Sequence, residues 1–333
     1  MSDLLIDINL PIILWVQSWG SWLAGPMQFF SFLGTEQFFL IVAPALYWCW
    51  STRLGLRLGI YLFISVSVNF CLKLIIHGPR PYWIDSRVRA LAAESSFGSP
   101  SNHAQTAVVF WGALASGIGR RWAWVLAIII MALIGISRVY LGVHSPTDVL
   151  AGWLVGAVLL YAMLKLEPLT ISWLRQRSRA GQISVVFAAS LGLILLGVIP
   201  RLLLIGWELP QEWVENAARA YPGAEPIDPL ALSGLITAAG AFFGLATGAI
   251  WLNSRGGFAT RGSPGQLLLR YLLGLIGLLV LWFGLGQLFP VGEDLLSLLL
   301  RYLRYTLVGF WVSGLAPLVF IRLHLAQASN QTG

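Results

Sequence analysis

The residues best suited to chemistry are three ionisable side chains in a strongly apolar part of the chain. Arg138, His144 and Asp148 lie between two segments that are hydrophobic enough to cross a membrane. Ionisable side chains at membrane depth are costly, and they usually mark a functional site. A guanidinium can bind phosphate oxygens through two parallel hydrogen bonds. The stretch therefore predicts an anion site that contains a histidine.

The spacing of His144 and Asp148 indicates how the histidine could react. The two residues are four apart, and Ser145-Pro146 between them is typical of a helix start. Asp148 would then lie in the first helical turn and could accept a hydrogen bond from one imidazole nitrogen, which would fix the tautomer. The other nitrogen would be free to attack, which is how an oriented nucleophile works. A purely structural His–Asp pair at a helix start is the alternative for this stretch alone.

Two further clusters upstream carry polar residues that suit an anion. Lys73 lies near the outer end of a predicted span, and Arg80 follows seven residues later. Ser101 is a good helix N-cap, and the backbone amides of the first turn, with Asn102 and His103, would face an anion. Taken singly, Lys73 could be a lysine whose ammonium reaches the lipid headgroups, and Ser101 could cap an ordinary helix.

Composition places the chain in the membrane class. Of 333 residues, 57% are hydrophobic and 11% are charged, against about 25% charged in soluble domains. The net charge of +7 is scattered between apolar runs, so a nucleic-acid partner is not expected. No Cys and His spacing fits a metal site, and no cofactor is expected. Asp3 and Asp7 stand where a signal peptide would carry basic residues, so a cleaved signal is not expected.

The pattern of apolar runs predicts an all-α, polytopic membrane helix bundle. Residues 1–168 would form the core, with an interfacial or re-entrant helix over 4–33, and residues 182–323 would add further transmembrane helices. The predicted spans of the core are 36–50, 59–76, 103–118, 122–141 and 146–164. The predicted spans beyond it are 182–200, 229–252, 267–289 and 305–321, with an amphipathic helix over 295–304.

Loop charges predict the orientation, because Lys and Arg accumulate on the cytoplasmic side. Basic pairs or clusters occur in alternate loops, at 53–57, 120–121, 165–179, 255–270 and 322. The opposite set of loops contains an acidic segment around 208–228 and all three polar clusters. The clusters are therefore expected on one face, outside the cytoplasm.

Together the three clusters resemble the signature of the type-2 phosphatidic acid phosphatase superfamily, which shares its core with the vanadium haloperoxidases. Lys73, six residues and Arg80-Pro81 match the first part, and Ser137-Arg138, five residues, His144, three residues and Asp148 match the third. The second part, Pro-Ser-Gly-His, is matched by residues 100–103 except that Asn102 replaces the glycine. The resemblance covers about residues 35–165.

The resemblance implies a role for each of these residues. His144 would be the nucleophile that forms a phosphohistidine, Asp148 would orient it, and His103 would protonate the leaving oxygen and later activate water. The implied phosphate-binding residues are Lys73, Arg80, Ser101, Asn102 and Arg138. The family needs no divalent metal, so no metal site is expected.

The expected function is that of an integral-membrane lipid phosphate or diphosphate phosphatase in the cell's inner membrane, with its active site facing outward. Isoprenyl diphosphate, phosphatidate, phosphatidylglycerophosphate and a sphingoid-base phosphate all stay open as substrates. A phosphotransferase with a lipid or sugar acceptor is the first alternative, and a transporter that reuses an anion site is the second. The expected partners are the lipid substrate and membrane lipids, and a homodimer is left open. The later spans are interpreted as scaffold or dimer surface in preference to a lipid groove.

Overall fold

The computed structural model describes residues 3–329, with side chains from residue 8 onward, so the side chains of Asp3 and Asp7 lie outside the described part. Within those residues every regular element is a helix. The shorter or interfacial helices are α1 (Asp3–Gln17), α2 (Ala24–Phe32), α3 (Glu36–Cys49), α5 (Pro81–Ile84), α6 (Asn102–Ile118) and α10 (Gln211–Ala220). The long helices are α4 (Thr52–Ile76), α7 (Arg121–Tyr140), α8 (Pro146–Arg175), α9 (Arg179–Leu203), α11 (Ser233–Asn253), α12 (Pro264–Leu288) and α13 (Leu295–Arg322).

The prediction of a polytopic all-α bundle is confirmed. Seven helices of the described residues are long and apolar enough to cross a membrane, and they include all the long helices named above. An eighth span is added if the segment Ser21–Phe32 and α3 count as one, since the two meet at a 49° bend. This bend has the geometry of a broken span or a re-entrant segment, and the interfacial or re-entrant helix over 4–33 stays a prediction.

Several helices extend beyond the spans predicted from the sequence, and α4 begins at Thr52, seven residues before the predicted start at 59. The fifth predicted span ends at 164, whereas α8 continues to Arg175 and contains Glu167. Arg57 donates to both oxygens of Glu167, at 2.6 and 2.8 Å, and the Tyr61 hydroxyl donates at 2.6 Å. The predicted amphipathic helix over 295–304 is the first part of the continuous α13, which passes through a π-helical stretch at Trp311–Leu315.

The chain forms two compact units, each built from three stretches. The first contains the described part of Met1–Phe38 together with Val68–Ala162 and Leu196–Ala231. The second contains Phe39–Ser67, Met163–Leu195 and the described part of Leu232–Gly333. The sequence divides the chain once, between 168 and 182, according to where the family signature ends, and that division stays a prediction.

In the first unit α8 packs closely against α6. A Cβ atom on Gly152 would lie 2.6 Å from the carbonyl oxygen of Ser101, and one on Gly156 would lie 2.7 Å from that of Gln105. Both positions therefore require glycine for the backbones to approach. The approach brings the first turn of α8, which contains Asp148, beside the first turn of α6.

In the second unit α11 and α13 are in backbone contact. A Cβ atom on Gly240 would lie 2.6 Å from the carbonyl oxygen of Tyr302, and one on Gly244 would lie 2.0 Å from that of Thr306. The Ser313 hydroxyl donates to the carbonyl oxygen of Leu245 at 2.7 Å. Small residues at such a crossing are typical of helices that associate in membranes, as the glycines around 239–248 indicate.

Candidate active site

The first cluster lies where α4 ends. Lys73 is in the last turn of α4, and its ammonium donates to the Ser96 hydroxyl at 2.8 Å. Arg80 immediately precedes α5 and has no exposed surface. Its guanidinium donates to the Ser96 carbonyl at 2.7 Å, to the Ser96 hydroxyl at 3.2 Å and to the Phe97 carbonyl at 3.2 Å. The loop around Ser96 thus fixes both cations.

Arg80 also reaches the third cluster. Its Nη1 donates to the Val143 carbonyl at 2.9 Å and lies 3.3 Å from Nε2 of His144. A guanidinium has no acceptor, so this contact fits an unprotonated Nε2 whose lone pair faces the cation. The proton of the neutral ring is then on Nδ1. Nε2 is therefore the unprotonated ring nitrogen, and its lone pair faces Arg80.

Asp148 is near the other ring nitrogen but does not bond to it. Its Oδ2 accepts from the backbone amide of Ser145 at 2.8 Å and lies 3.8 Å from Nδ1 of His144. That distance is longer than a hydrogen bond, and Nδ1 is buried without a hydrogen-bond partner. The carboxylate can accept a hydrogen bond from Nδ1 only after the two side chains move several tenths of an ångström closer together.

A glycine turn brings His144 to this position. Gly142 has a φ of +76°, and a Cβ atom there would lie 2.3 Å from the carbonyl oxygen of Arg89. The side-chain amide of Gln17 donates to the Arg89 carbonyl at 2.7 Å and to the Tyr140 carbonyl at 3.0 Å. The turn between α7 and α8 is therefore fixed by the loop before the second cluster and by α1.

The second cluster begins α6 as the sequence predicts. Ser101 is the N-cap, and its hydroxyl accepts from the Ala104 amide at 3.4 Å. The Ser101 amide donates to the carbonyl oxygen of Asp148 at 3.0 Å, which joins the second cluster to the third. The side chain of Asn69 supports the preceding residue by donating to the Pro100 carbonyl at 3.2 Å.

Asn102 and His103 follow in the first turn of α6. The Oδ1 atom of Asn102 is buried and has no hydrogen-bond partner among the described residues. His103 borders Gly34, since a Cβ atom on that glycine would lie 3.1 Å from its Cδ2 atom. His103 is also within electrostatic range of Arg138 and His144. His103 therefore lies near the cations and near the expected nucleophile.

Arg138 completes the set of cations. It lies in the last turn of α7 and is almost fully buried. Its Nη1 donates to the Ser31 hydroxyl at 2.5 Å, and its Nη2 donates to the carboxylate of Glu94. Its Nε is buried without a hydrogen-bond partner.

Sequence reasoning missed Glu94 and Ser96. Glu94 also forms an ion pair with Arg80, with 3.6 Å between Oε2 and Nη2. Both residues lie in a loop without regular structure, and no spacing marks them as part of a motif. Their contact with Arg80 depends on how the loop folds back over α4, which the sequence pattern does not specify.

The charges of the site set the ionisation of Glu94 and His144, which lie outside the seven long helices. Burial opposes ionisation of Glu94, but the adjacent Arg80 and Arg138 hold the pKa of its carboxyl well below the usual range. Burial, together with the charge of Arg80, lowers the pKa of His144 well below its usual value. His144 is consequently neutral at neutral pH, as a nucleophile must be.

A segment far along the chain supports the loops of the first two clusters. The side chain of Asn216 in α10 donates to the Trp83 carbonyl at 2.9 Å, and the Asp228 amide donates to the Ser95 carbonyl at 3.1 Å. The Trp207 ring packs edge-on against Phe97, with 5.6 Å between centroids. The segment 204–231 thus contacts the residues on either side of Ser96. The sequence shows this segment only as an acidic loop.

All eight predicted site residues lie in the first unit, around one buried cluster of charge. His144 contacts Arg80 and lies beside Asp148, and Lys73, Arg138 and His103 are within electrostatic range of it. Such an arrangement can bind a tetrahedral anion, neutralise its oxygens and present a neutral imidazole nitrogen to its central atom.

Comparison with known proteins identifies the family of the chain. A profile of the PAP2 superfamily matches residues 54–172. An undecaprenyl-diphosphatase of Sulfolobus acidocaldarius is 32% identical over 148 residues, which are 44% of this chain and 71% of that protein. The chain belongs to the PAP2 superfamily. Phosphatidylglycerophosphatase B of Bacillus subtilis is 31% identical over 153 residues, covering 42% of this chain and 73% of its own length. The family resemblance of the three clusters is thereby confirmed.

The family relationship extends beyond the catalytic clusters. A second profile, described as a transmembrane extension of PAP2 superfamily phosphatases, matches residues 236–328. Glucose-6-phosphatase 3 of Bos taurus is 28% identical over 236 residues, covering 63% of this chain and 67% of its own length. The protein is a multi-pass membrane phosphatase of the PAP2 type. The later spans therefore belong to an arrangement that other members of the superfamily share.

Proposed function

We propose that this PAP2 phosphatase hydrolyses a terminal phosphate of a membrane lipid phosphate or diphosphate through a phosphohistidine on His144. The observation that carries the proposal is the contact of 3.3 Å between Arg80 Nη1 and His144 Nε2. A phosphoryl oxygen held by Arg80 would put phosphorus next to that nitrogen. The neutral imidazole would then attack without first losing a proton.

The reaction has two steps, and each balances in atoms and protons. In the first, His144 Nε2 forms a bond to phosphorus while the bond to the lipid oxygen breaks, and His103 gives that oxygen a proton. In the second, His103 accepts a proton from water as the water oxygen attacks phosphorus. The phosphorus–nitrogen bond breaks, and inorganic phosphate and free His144 result. Asp148 would accept a hydrogen bond from Nδ1 of His144 and so stabilise the imidazole ring as it becomes positively charged.

Lys73, Arg80 and Arg138 supply the charge for both steps. Phosphoryl transfer depends mostly on positioning and on neutralising the phosphoryl oxygens. The buried cations are held by hydrogen bonds before substrate arrives, so they need little reorganisation. The Asn102 amide and the Ser101 hydroxyl would add donors at the first turn of α6.

The orientation of the chain supports an active site outside the cytoplasm. Within the first unit, α6 begins at the site and ends at Gly119, next to the basic pair Arg120 and Arg121. Basic loops favour the cytoplasmic side, so the opposite end of α6 would face outward. In a cell with two membranes, an inner-membrane location follows from this interpretation.

The relatives favour a lipid substrate. One is named for undecaprenyl diphosphate and another for phosphatidylglycerophosphate, and a relative from Rattus norvegicus is a sphingosine-1-phosphate phosphatase. Because the chain also matches glucose-6-phosphatase 3, a sugar phosphate is the substrate with which the lipid phosphates are compared. Transfer of the phosphoryl group to a lipid or sugar, in place of water, is a separate outcome of the test.

The test is phosphate release from purified protein in detergent, with an isoprenyl diphosphate, a phosphatidylglycerophosphate and glucose 6-phosphate as substrates. Wild type is expected to release phosphate from a lipid substrate with EDTA present, and His144→Asn is expected to lose at least about a thousandfold in kcat. His324→Asn is the matched control, because His324 is exposed and lies outside the site.

The other outcomes separate the alternatives. Label that passes to a second lipid and not to free phosphate would indicate a phosphotransferase. Absence of phosphate release from every substrate in detergent, with anion uptake in sealed vesicles, would favour a transporter. Strict dependence on Mg²⁺ with an active His144→Asn variant would contradict the proposed mechanism.

A further inference from the structure

The buried cations of the active site already hold an anion that belongs to the protein itself. We propose that Glu94 is a specificity-determining residue of this site, because its carboxylate occupies the phosphoryl-binding position and competes with free phosphate. This inference rests on the proposed function, since it names a residue that tunes the same site. Glu94 belongs to none of the three signature clusters.

The contacts of Glu94 are those that a phosphoryl group would need. Its carboxylate accepts from Arg138 Nη2, and its Oε2 lies 3.6 Å from Arg80 Nη2. Lys73 and His103 are within electrostatic range of the same carboxylate. The Glu94 side chain therefore faces four of the groups that are proposed to bind and process phosphate.

A carboxylate and a phosphate are recognised by guanidinium groups in the same way. Both present oxygens that accept charge-assisted hydrogen bonds from the planar fork of arginine. Arg138 cannot give its Nη2 hydrogen bond to Glu94 and to a phosphoryl oxygen with full strength at once. A phosphoryl group that binds must either displace Glu94 or lie beside a negative charge.

The Glu94 side chain is built so that it can move. It extends from the loop between α5 and α6, and about a quarter of its surface is exposed. The cations are fixed independently, since the loop oxygens of Ser96 and Phe97 hold Arg80 and Ser31 holds part of Arg138. Departure of Glu94 would therefore leave the cations in place.

Competition by Glu94 discriminates between substrate and product. A lipid phosphate also gains binding energy from its apolar tail, whereas inorganic phosphate binds through its oxygens alone. Free phosphate is an anion at neutral pH, and three buried cations would retain it. When the Glu94 carboxylate returns to Arg138, it weakens the binding of inorganic phosphate more than the binding of the lipid phosphate. It therefore favours product release.

The alternative role for Glu94 is to orient Arg138 by holding its guanidinium. The two roles predict opposite effects on affinity when the charge is removed and the shape is kept. Loss of a competitor makes phosphate bind more tightly. Loss of an orienting contact makes phosphate bind more weakly.

The experiment compares Glu94→Gln with wild type in detergent at neutral pH. The inhibition constant of inorganic phosphate is measured against lipid substrate, and phosphate binding is measured directly by calorimetry. Both constants are expected to fall by about tenfold in the variant, since two like charges a few ångströms apart repel strongly in a buried site. Asp85→Asn is the matched control, because Asp85 lies in the same loop and pairs with Arg87. That variant is expected to leave both constants unchanged.

Unchanged or weaker phosphate binding in Glu94→Gln would overturn the inference. The calorimetric measurement gives this answer even if the variant has no turnover. The proposed function fails separately, if wild type releases no phosphate from any lipid while Glu94→Gln still binds phosphate more tightly. An equal gain in affinity for Asp85→Asn would also overturn the inference, because it would indicate a general charge effect of the loop.

Discussion

Arg80 and His144 are joined by a contact of 3.3 Å between Nη1 and Nε2, inside a region where both side chains are almost completely buried. The first cluster of the sequence and the third therefore meet at the atom proposed to attack phosphorus. The same guanidinium donates to the Val143 carbonyl, next to the histidine. Arg80 thus positions the backbone that carries the nucleophile as well as the anion.

Arg80→Lys is expected to lower kcat by about a hundredfold or more and to lower the thermal stability. Lysine keeps the charge, but it cannot reproduce the planar donors that reach Ser96, Phe97 and Val143 together. Arg87→Lys is the control, since Arg87 is exposed and pairs with Asp85. Steady-state kinetics and melting in detergent measure both effects. Near-normal kcat in Arg80→Lys would indicate that charge alone matters at this position.

Gly142→Ala and Gly119→Ala form a matched pair with similar backbone angles. Both glycines have a positive φ, +76° at Gly142 and +68° at Gly119. A Cβ atom added at Gly142 would clash with the carbonyl oxygen of Arg89, whereas one added at Gly119 would meet open space. Gly119→Ala is expected to cost about 1 kcal/mol of unfolding free energy. Gly142→Ala is expected to cost at least about 3 kcal/mol and to abolish activity, because His144 moves with the turn. Equal melting temperatures for the two variants would contradict the described turn.

The lowered pKa of His144 predicts how stability changes with pH. The unfolded chain takes up a proton on this residue near pH 6.5, whereas the folded protein takes it up only well below that value. The neutral His144 therefore contributes to the free energy of unfolding above about pH 6.5, and this contribution is lost as the pH falls through the pKa of His144 in the folded protein. His144→Asn should show a smaller drop in melting temperature than wild type between pH 7.5 and 5. An identical drop in both proteins would mean that the imidazole is not held neutral.

Asn216→Ala tests the support that the segment 204–231 gives to the catalytic loops. The variant loses the hydrogen bond to the Trp83 carbonyl, near Arg80. We expect kcat to fall severalfold while KM changes little, since no substrate contact is removed. Gln211→Ala is the control on the same helix, because that side chain is exposed and bonds to Glu215. A large change in KM, or an equal fall in kcat in Gln211→Ala, would argue against support of the loop by Asn216.

The sequence predicts most of this site because its chemistry is local. Each cluster contains its own spacing, as in His144 and Asp148 across one helical turn, and each uses residues that are costly in lipid. Membrane spans are predictable for the same reason, since backbone groups in lipid must be satisfied within a helix. The limits of α8 were harder to predict, because Glu167 is satisfied by Arg57 from a distant helix.

The parts that escaped prediction depend on loops. Glu94 and Ser96 are ordinary loop residues until the chain between α5 and α6 folds over Lys73 and Arg80. Asn216 lies 133 positions from its partner Trp83, and no periodic pattern connects them. The separation of 3.8 Å between His144 and Asp148 also could not be predicted, because residue spacing gives proximity but not the exact hydrogen bond.

The central claim, a phosphoryl group on His144, is tested most directly by trapping the intermediate. Purified protein is mixed rapidly with a lipid phosphate labelled at its terminal phosphorus, quenched in base and digested for mass spectrometry. Transient, acid-labile label is expected on His144 of wild type, a longer-lived label in His103→Gln and none in His144→Asn. Full turnover without label on His144, together with normal activity of His144→Asn, would contradict it.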